Sequence, residues 1–130
     1  MSTNPDDARR ATLRGAVESY FDGMHTHDLT AIPWHAEVRL HTPIGPGGPA
    51  EAIVGAEQVR AFFDAIGPAI RSVHLHTVYF SDDLGSAAGH ATIDMAEPAC
   101  QLRVLDRFEV DDLGRIVEQE NHFDPRLAMP

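Results

Sequence analysis

Between Leu13 and Met24 the apolar residues Leu13, Ala16, Val17, Tyr20, Phe21 and Met24 recur at three- and four-residue steps. That spacing predicts a long amphipathic first helix, capped by Asp6 or Asp7 and buried along one stripe. The segment from Leu29 to His35 holds Pro33 and reads as a short second helix or a turn, since proline is tolerated only near a helix start. From Glu37 to Thr42, Val38, Leu40 and Thr42 alternate with Arg39 and His41, the pattern of a strand. The run Pro43-Ile44-Gly45-Pro46-Gly47-Gly48-Pro49 ends it as a loop. A third helix is predicted after Gly55, with Val59, Phe62, Phe63 and Ile66 as its stripe and Gly67-Pro68 as its stop.

From Ile70 onward the apolar period drops from about 3.6 to 2. Runs at Ile70 to Phe80, Ser86 to Ala96, Ala99 to Val110 and Arg115 to Phe123 read as antiparallel strands. Ser81-Asp82-Asp83-Leu84-Gly85 and Asp111-Asp112-Leu113-Gly114 have hairpin chemistry, and Glu97-Pro98 makes the remaining bend. Helices followed by a meander predict an α+β domain. Its helices pack on one face of a curved antiparallel sheet whose concave side stays open as a pocket.

Composition narrows the chemistry. The chain has 130 residues, room for a single domain over 1–130. Its net charge of −10, with no basic cluster to offset it, argues against nucleic acid and anionic membrane surfaces as partners. All ten basic residues are Arg, which excludes Schiff-base catalysis by a lysine side chain. The lone Cys100 makes neither an internal disulfide nor a thiolate metal cluster. No apolar run is long enough for a membrane span, and Met1 to Tyr20 lacks the apolar core of a signal peptide, so a cytoplasmic, cofactor-independent protein is expected.

The order of elements, with Tyr20-Phe21, His27-Asp28-Leu29, Thr42-Pro43-Ile44-Gly45, Val59-Arg60-Ala61-Phe62-Phe63, Asp106-Arg107-Phe108-Glu109-Val110, Gly114-Arg115-Ile116 and Phe123-Asp124-Pro125, resembles the nuclear transport factor 2-like superfamily over about residues 10–125. SnoaL-like cyclases and ketosteroid isomerases belong to that superfamily. The resemblance implies a cone-shaped barrel with three helices in the N-terminal half around a hydrophobic cavity. It also implies a homodimer formed through the outer face of the sheet. Tyr20 matches the tyrosine with which ketosteroid isomerases donate a hydrogen bond to the developing enolate. Asp106 matches their second donor, an aspartate kept protonated by an apolar site. Thr42 stands where those enzymes carry the general-base aspartate, and a neutral hydroxyl does not abstract a carbon-bound proton unaided. Asp94 and Asn121 resemble catalytic positions of limonene epoxide hydrolases, but Thr92, Leu40 and Thr42 replace the arginine and the water-positioning pair. Scytalone dehydratase shares the histidine content, while its Tyr-Asp pair falls at Met24-His25.

Strand alternation offers a reading independent of any family. His90, Thr92 and Asp94 share one face of their strand and Ala91, Ile93 and Met95 the other. If the first face lines the cavity, an imidazole and a carboxylate lie within about 7 to 14 Å of each other on one strand. If it is the solvated outer face, Ala91, Ile93 and Met95 are buried instead. The same parity groups Gln119, Asn121 and Phe123 on the last strand, and Leu102, Val104, Asp106 and Phe108 on the one before. An inward Asp106 is either functional or paired with Arg103 or Arg107, because an unpaired buried carboxylate is costly. Trp34, Phe62 and Phe63 read as core or pocket wall. His74-x-His76 and His25-x-His27 have metal-compatible spacing, yet no carboxylate adjoins the strand pair, and no metal is expected.

These observations predict an isomerase or cyclase acting by acid-base catalysis on a cyclic, polyketide- or terpenoid-like molecule. Tyr20, Asp106, His90 and Asp94 are its expected catalytic residues. Thr42, Trp34, Phe62, Phe63, Thr92, Phe108, Gln119, Asn121 and Phe123 are its expected substrate contacts. The alternatives are a binding module without turnover, an epoxide hydrolase or dehydratase, and a structural dimer with a filled pocket.

Overall fold

The computed structural model describes residues 4–128. Helix α1 (Pro5–Thr26) starts at Asn4, whose side-chain oxygen accepts the Asp6 N–H at 2.9 Å. Asn4 therefore takes the capping role expected of Asp6 or Asp7. Pro5 opens the first turn, where its missing N–H is harmless, and the two aspartates sit there against the positive end of the helix. The predicted apolar stripe is the buried stripe. His27 ends the helix in a left-handed conformation, its successor's N–H returning to Gly23.

Of the short second helix or turn expected after His27, the structure has a 3-10 turn, Leu29–Ala31. Pro33 and Trp34 then enter strand β1 (Trp34–His41), three residues earlier than the alternation alone suggests. After the Pro/Gly loop a two-residue strand β2 (Ile53–Val54), absent from the sequence reading, pairs antiparallel with Arg39 and Leu40. Helix α2 (Ala56–Ile66) follows Gly55, whose φ of 98° suits a glycine. Strands β3 (Ile70–Phe80), β4 (Ser86–Ala96), β5 (Ala99–Val110) and β6 (Ile116–His122) form the expected meander.

The six strands lie in the order β2-β1-β6-β5-β4-β3 in one curved, unclosed sheet. Every pairing is antiparallel except β1 with β6, which run parallel with Leu40 beside Gln119. The expected wholly antiparallel sheet is corrected at that one junction. Joining the first long strand to the last makes the concave face continuous from β1 to β3.

Helix α1 lies across this face above β3 and β4. Ala87, Gly89 and Ala91 form the floor there, and a Cβ on Gly89 would come within 2.9 Å of Val17. The start of α1 is pinned by Arg9, whose guanidinium donates to the carbonyls of Leu84, Val110 and Asp111. Both hairpin turns at that end of the sheet are thus tied to one side chain. The opposite end, under the last turns of α1 and α2, is not filled.

Candidate functional site

A cavity of about 280 Å³ occupies that unfilled end, close to the ~300 Å³ lower bound of small-molecule sites. α1 contributes Tyr20 and Met24, α2 contributes Phe63 and Ile66, and the sheet contributes Ile93, Met95, Leu102, Val104, Asp106 and Asn121. Ile44 of the Pro/Gly loop and Phe123 complete the wall, with Glu97 at the β4–β5 turn. Most of these groups are apolar.

Tyr20 is boxed in by aromatic rings. Phe21, Phe108 and Phe63 have ring centroids 4.9, 5.2 and 5.7 Å from its own. Its hydroxyl end meets Asp106 and the amides of Gln119 and Asn121. Burial, then the carboxyl of Asp106, push its pKa well above the ordinary phenol value, while the two amides pull the other way. Tyr20 is a neutral hydrogen-bond donor throughout the physiological range.

Asp106 is 2% exposed, and its Oδ1 has no hydrogen-bond partner. Burial raises its pKa to about 8 against the smaller opposing effect of the His122 backbone N–H. A carboxyl with a pKa raised that far holds its proton at neutral pH and has it available for a ligand acceptor. Arg107 is not its partner: that guanidinium lies on the opposite face among Glu109, Glu118 and Glu120.

A chain of side-chain hydrogen bonds orients the third polar group. Indole N–H groups only donate, so the Trp34 Nε1–H fixes the Gln119 Oε1 as its acceptor at 3.0 Å. Gln119 then donates through Nε2 to Asn121 Oδ1 at 3.1 Å. With its oxygen engaged, Asn121 keeps its NH2 for the cavity it lines. Sequence parity placed Gln119 and Asn121 on this face; their donor direction is legible only once Trp34 lies beside them.

Other expected residues fall elsewhere. His90, Thr92 and Asp94 point away from the cavity, on the outer face of the sheet. The physical reason is α1: it needs the small residues Ala87, Gly89 and Ala91 beneath it, which turns the intervening side chains outward. Asp94 accepts from Gln101 Nε2 at 2.9 Å and Ser72 Oγ at 2.8 Å, and these bonds hold its pKa below the ordinary carboxylate range. Thr92 Oγ1 lies 2.7 Å from His76 Nε2. His76 stands between His74 and His90, with ring centroids 4.6 and 5.1 Å away. Among the described residues no group of three His, Cys, Asp or Glu side chains is arranged to hold a metal.

Thr42 is buried with an unpartnered hydroxyl, outside the residues that line the cavity. Trp34, Phe62, Phe108 and Gln119 stand behind the lining, Trp34 stacked on Phe63 at 5.5 Å. Phe63, Asn121 and Phe123 reach the cavity itself. Glu97, singled out in the sequence only as part of a bend, does so too.

The family described as SnoaL-like domain matches residues 17–119. No curated protein matches the chain. Among solved structures the chain is similar to RV0760c from Mycobacterium tuberculosis in complex with estradiol-17beta-hemisuccinate, at 18% identity and a TM-score of 0.72, over 89% of this chain and 96% of that one. A steroid delta-isomerase from Pseudomonas aeruginosa is similar at 20% identity and 0.70, over 88% and 81%. A computationally designed 17-OHP binder is similar at 20% identity and 0.72, over 89% and 95%. At these identities the likeness is one of fold.

Proposed function

The chain belongs to the SnoaL-like domain family, within the nuclear transport factor 2-like superfamily, and from that premise we propose that it takes up a small, largely apolar molecule and polarises one carbonyl or enolic oxygen between Asp106 and Tyr20. The observation that carries this reading is the Asp106 carboxyl, buried and without a partner for Oδ1, and the burial that raises its pKa to about 8 supports it. An orphan polar atom in an apolar wall costs stability, and a ligand oxygen is the group that would satisfy it. The ligands named for two of the structural neighbours and the activity named for the third fit a cavity of this kind.

Two prepositioned donors aimed at one oxygen stabilise negative charge developing there. Isomerisation or intramolecular cyclisation, needing no cofactor, is the chemistry they serve. The lining holds no imidazole, and its second carboxylate, Glu97, sits in the β4–β5 turn away from the donors, so neither kind of base stands beside them. That favours a cyclisation in which an enol carbon of the substrate attacks its own carbonyl. The enol proton and the new hydroxyl then balance within one molecule. The same absence favours, as a second reading, binding without turnover.

Titration with 2-naphthol, followed by its fluorescence, tests the common core of both readings. Replacing Asp106 by Leu should weaken binding about tenfold, and Asp106→Asn, which keeps a donor, should weaken it less. Equal affinity in the Leu variant would remove the donor from the site. Turnover of a cyclic-ketone and polyketide panel then separates enzyme from binder. We carry the homodimer through the outer sheet face as part of this proposal; Tyr79 and Leu105, 54% and 46% exposed beside His90, support it.

A further inference from the structure

The donors occupy one end of the cavity, and the other end carries a single charged group, Glu97. Asp106 pairs with Gly89 across the sheet, Met95 pairs with Cys100, and Glu97 follows in the turn. At about 3.3 Å per residue, the eight steps from Gly89 to Glu97 span at most about 26 Å of strand. Between the two carboxyl groups the inward pairs are Val104 with Ala91, Leu102 with Ile93 and Cys100 with Met95, of which Val104, Leu102, Ile93 and Met95 line the cavity. The cavity is thus an apolar channel with a neutral donor cluster at its inner end and a carboxylate at its mouth.

Glu97 is exposed and has no ion-pair or hydrogen-bond partner among the described residues. A base must come within about 3 Å of the proton it removes. With three inward positions of β5 intervening, Cys100, Leu102 and Val104, Glu97 lies too far from Asp106 to take a proton beside the polarised oxygen. Its reach is to the far end of a bound molecule. An ionised carboxylate accepts hydrogen bonds and donates none.

Resting on the reading above, we propose that Glu97 is a specificity-determining anchor, and that the preferred ligand is an elongated apolar molecule with an oxygen acceptor at one end and a hydrogen-bond donor, hydroxyl or ammonium, at the other. A ligand ending in a carboxylate is disfavoured at the mouth by like charge.

Three probes that share a phenol and a six-carbon chain isolate the far end: 4-(6-aminohexyl)phenol, 4-hexylphenol and 6-(4-hydroxyphenyl)hexanoic acid, titrated by calorimetry at pH 7. The amine should bind about tenfold more tightly than the acid, attraction and repulsion at a partly solvated carboxylate each giving a few-fold. The ratio should fall to about twofold in Glu97→Gln and reverse in Glu97→Arg. Asp112→Asn removes the same net charge from the distant β5–β6 turn and should leave the ratio as in the parent chain. Asp106→Leu should weaken all three probes by a common factor.

An amine-to-acid ratio that survives Glu97→Gln, or that falls equally in Asp112→Asn, overturns the anchor while leaving the donor site standing. Affinities untouched by Asp106→Leu overturn the donor site itself, and failure of all three probes to bind overturns both. Circular dichroism confirms that each variant is folded before its affinity is read.

Discussion

Asp106 shows how one buried residue links stability, pH and chemistry. Its unfolded carboxyl titrates near the ordinary 3.8, its folded one at about 8. Between those values the folded chain holds a proton that the unfolded chain has released, so stability falls as pH rises, by about 1.4 kcal/mol per unit from this group. Above pH 8 the contribution levels off. Asp106→Asn lacks the term, so its melting temperature relative to the parent chain should climb from pH 5 to pH 8 and then flatten. A difference that stays flat over pH 5–8 would mean that Asp106 is ionised in the folded protein. Asn121 illustrates a subtler dependence: its composition says only amide, and its role as a donor is set two residues away in a hydrogen-bond chain that begins at an indole.

At the scale of elements, the seating of α1 on β4 decides what faces the cavity. The alternation of β4 is equally compatible with either face inward, because His90, Thr92 and Asp94 are no more regular than Ala91, Ile93 and Met95. The deciding residue is Gly89, where a Cβ would meet Val17 and Phe21. Gly89→Ala should therefore destabilise the fold by about 1–3 kcal/mol through overpacking, read as a lowered urea midpoint with the slope unchanged. An unaltered midpoint would show that the helix can lift at no cost. Arg9 acts at the same scale, using one guanidinium to satisfy carbonyls of two hairpin turns.

For the whole molecule, the curved sheet separates two surfaces of different character. The concave side buries the core and leaves the cavity. The convex side displays charged networks around Arg107 and an exposed apolar patch of Tyr79 and Leu105. Patches of this kind mark contact surfaces more often than isolated apolar residues do. Light scattering should find a dimer for the parent chain and a monomer for Leu105→Glu, with the 2-naphthol affinity retained. A parent chain that elutes and scatters as a monomer at 100-fold higher concentration than the assay would end the homodimer proposal.

The elements that rest on local periodicity were legible in the residues alone. The α1 stripe, the α2 stripe between Gly55 and Gly67, and the four-strand meander are each specified by residues close in the chain. Also legible there was that Tyr20 and Asp106 share the buried side, because an inward carboxyl between Val104 and Phe108 is set by strand parity. The tertiary structure alone decided the parallel junction of β1 with β6, since nothing local records which distant edge a strand will meet. It also decided the outward turn of His90 and Asp94, because face choice on a strand follows from the helix packed above it. The place of Glu97 at the cavity mouth belongs to the same class. A turn residue acquires a direction only when the sheet that carries it has curved around a space.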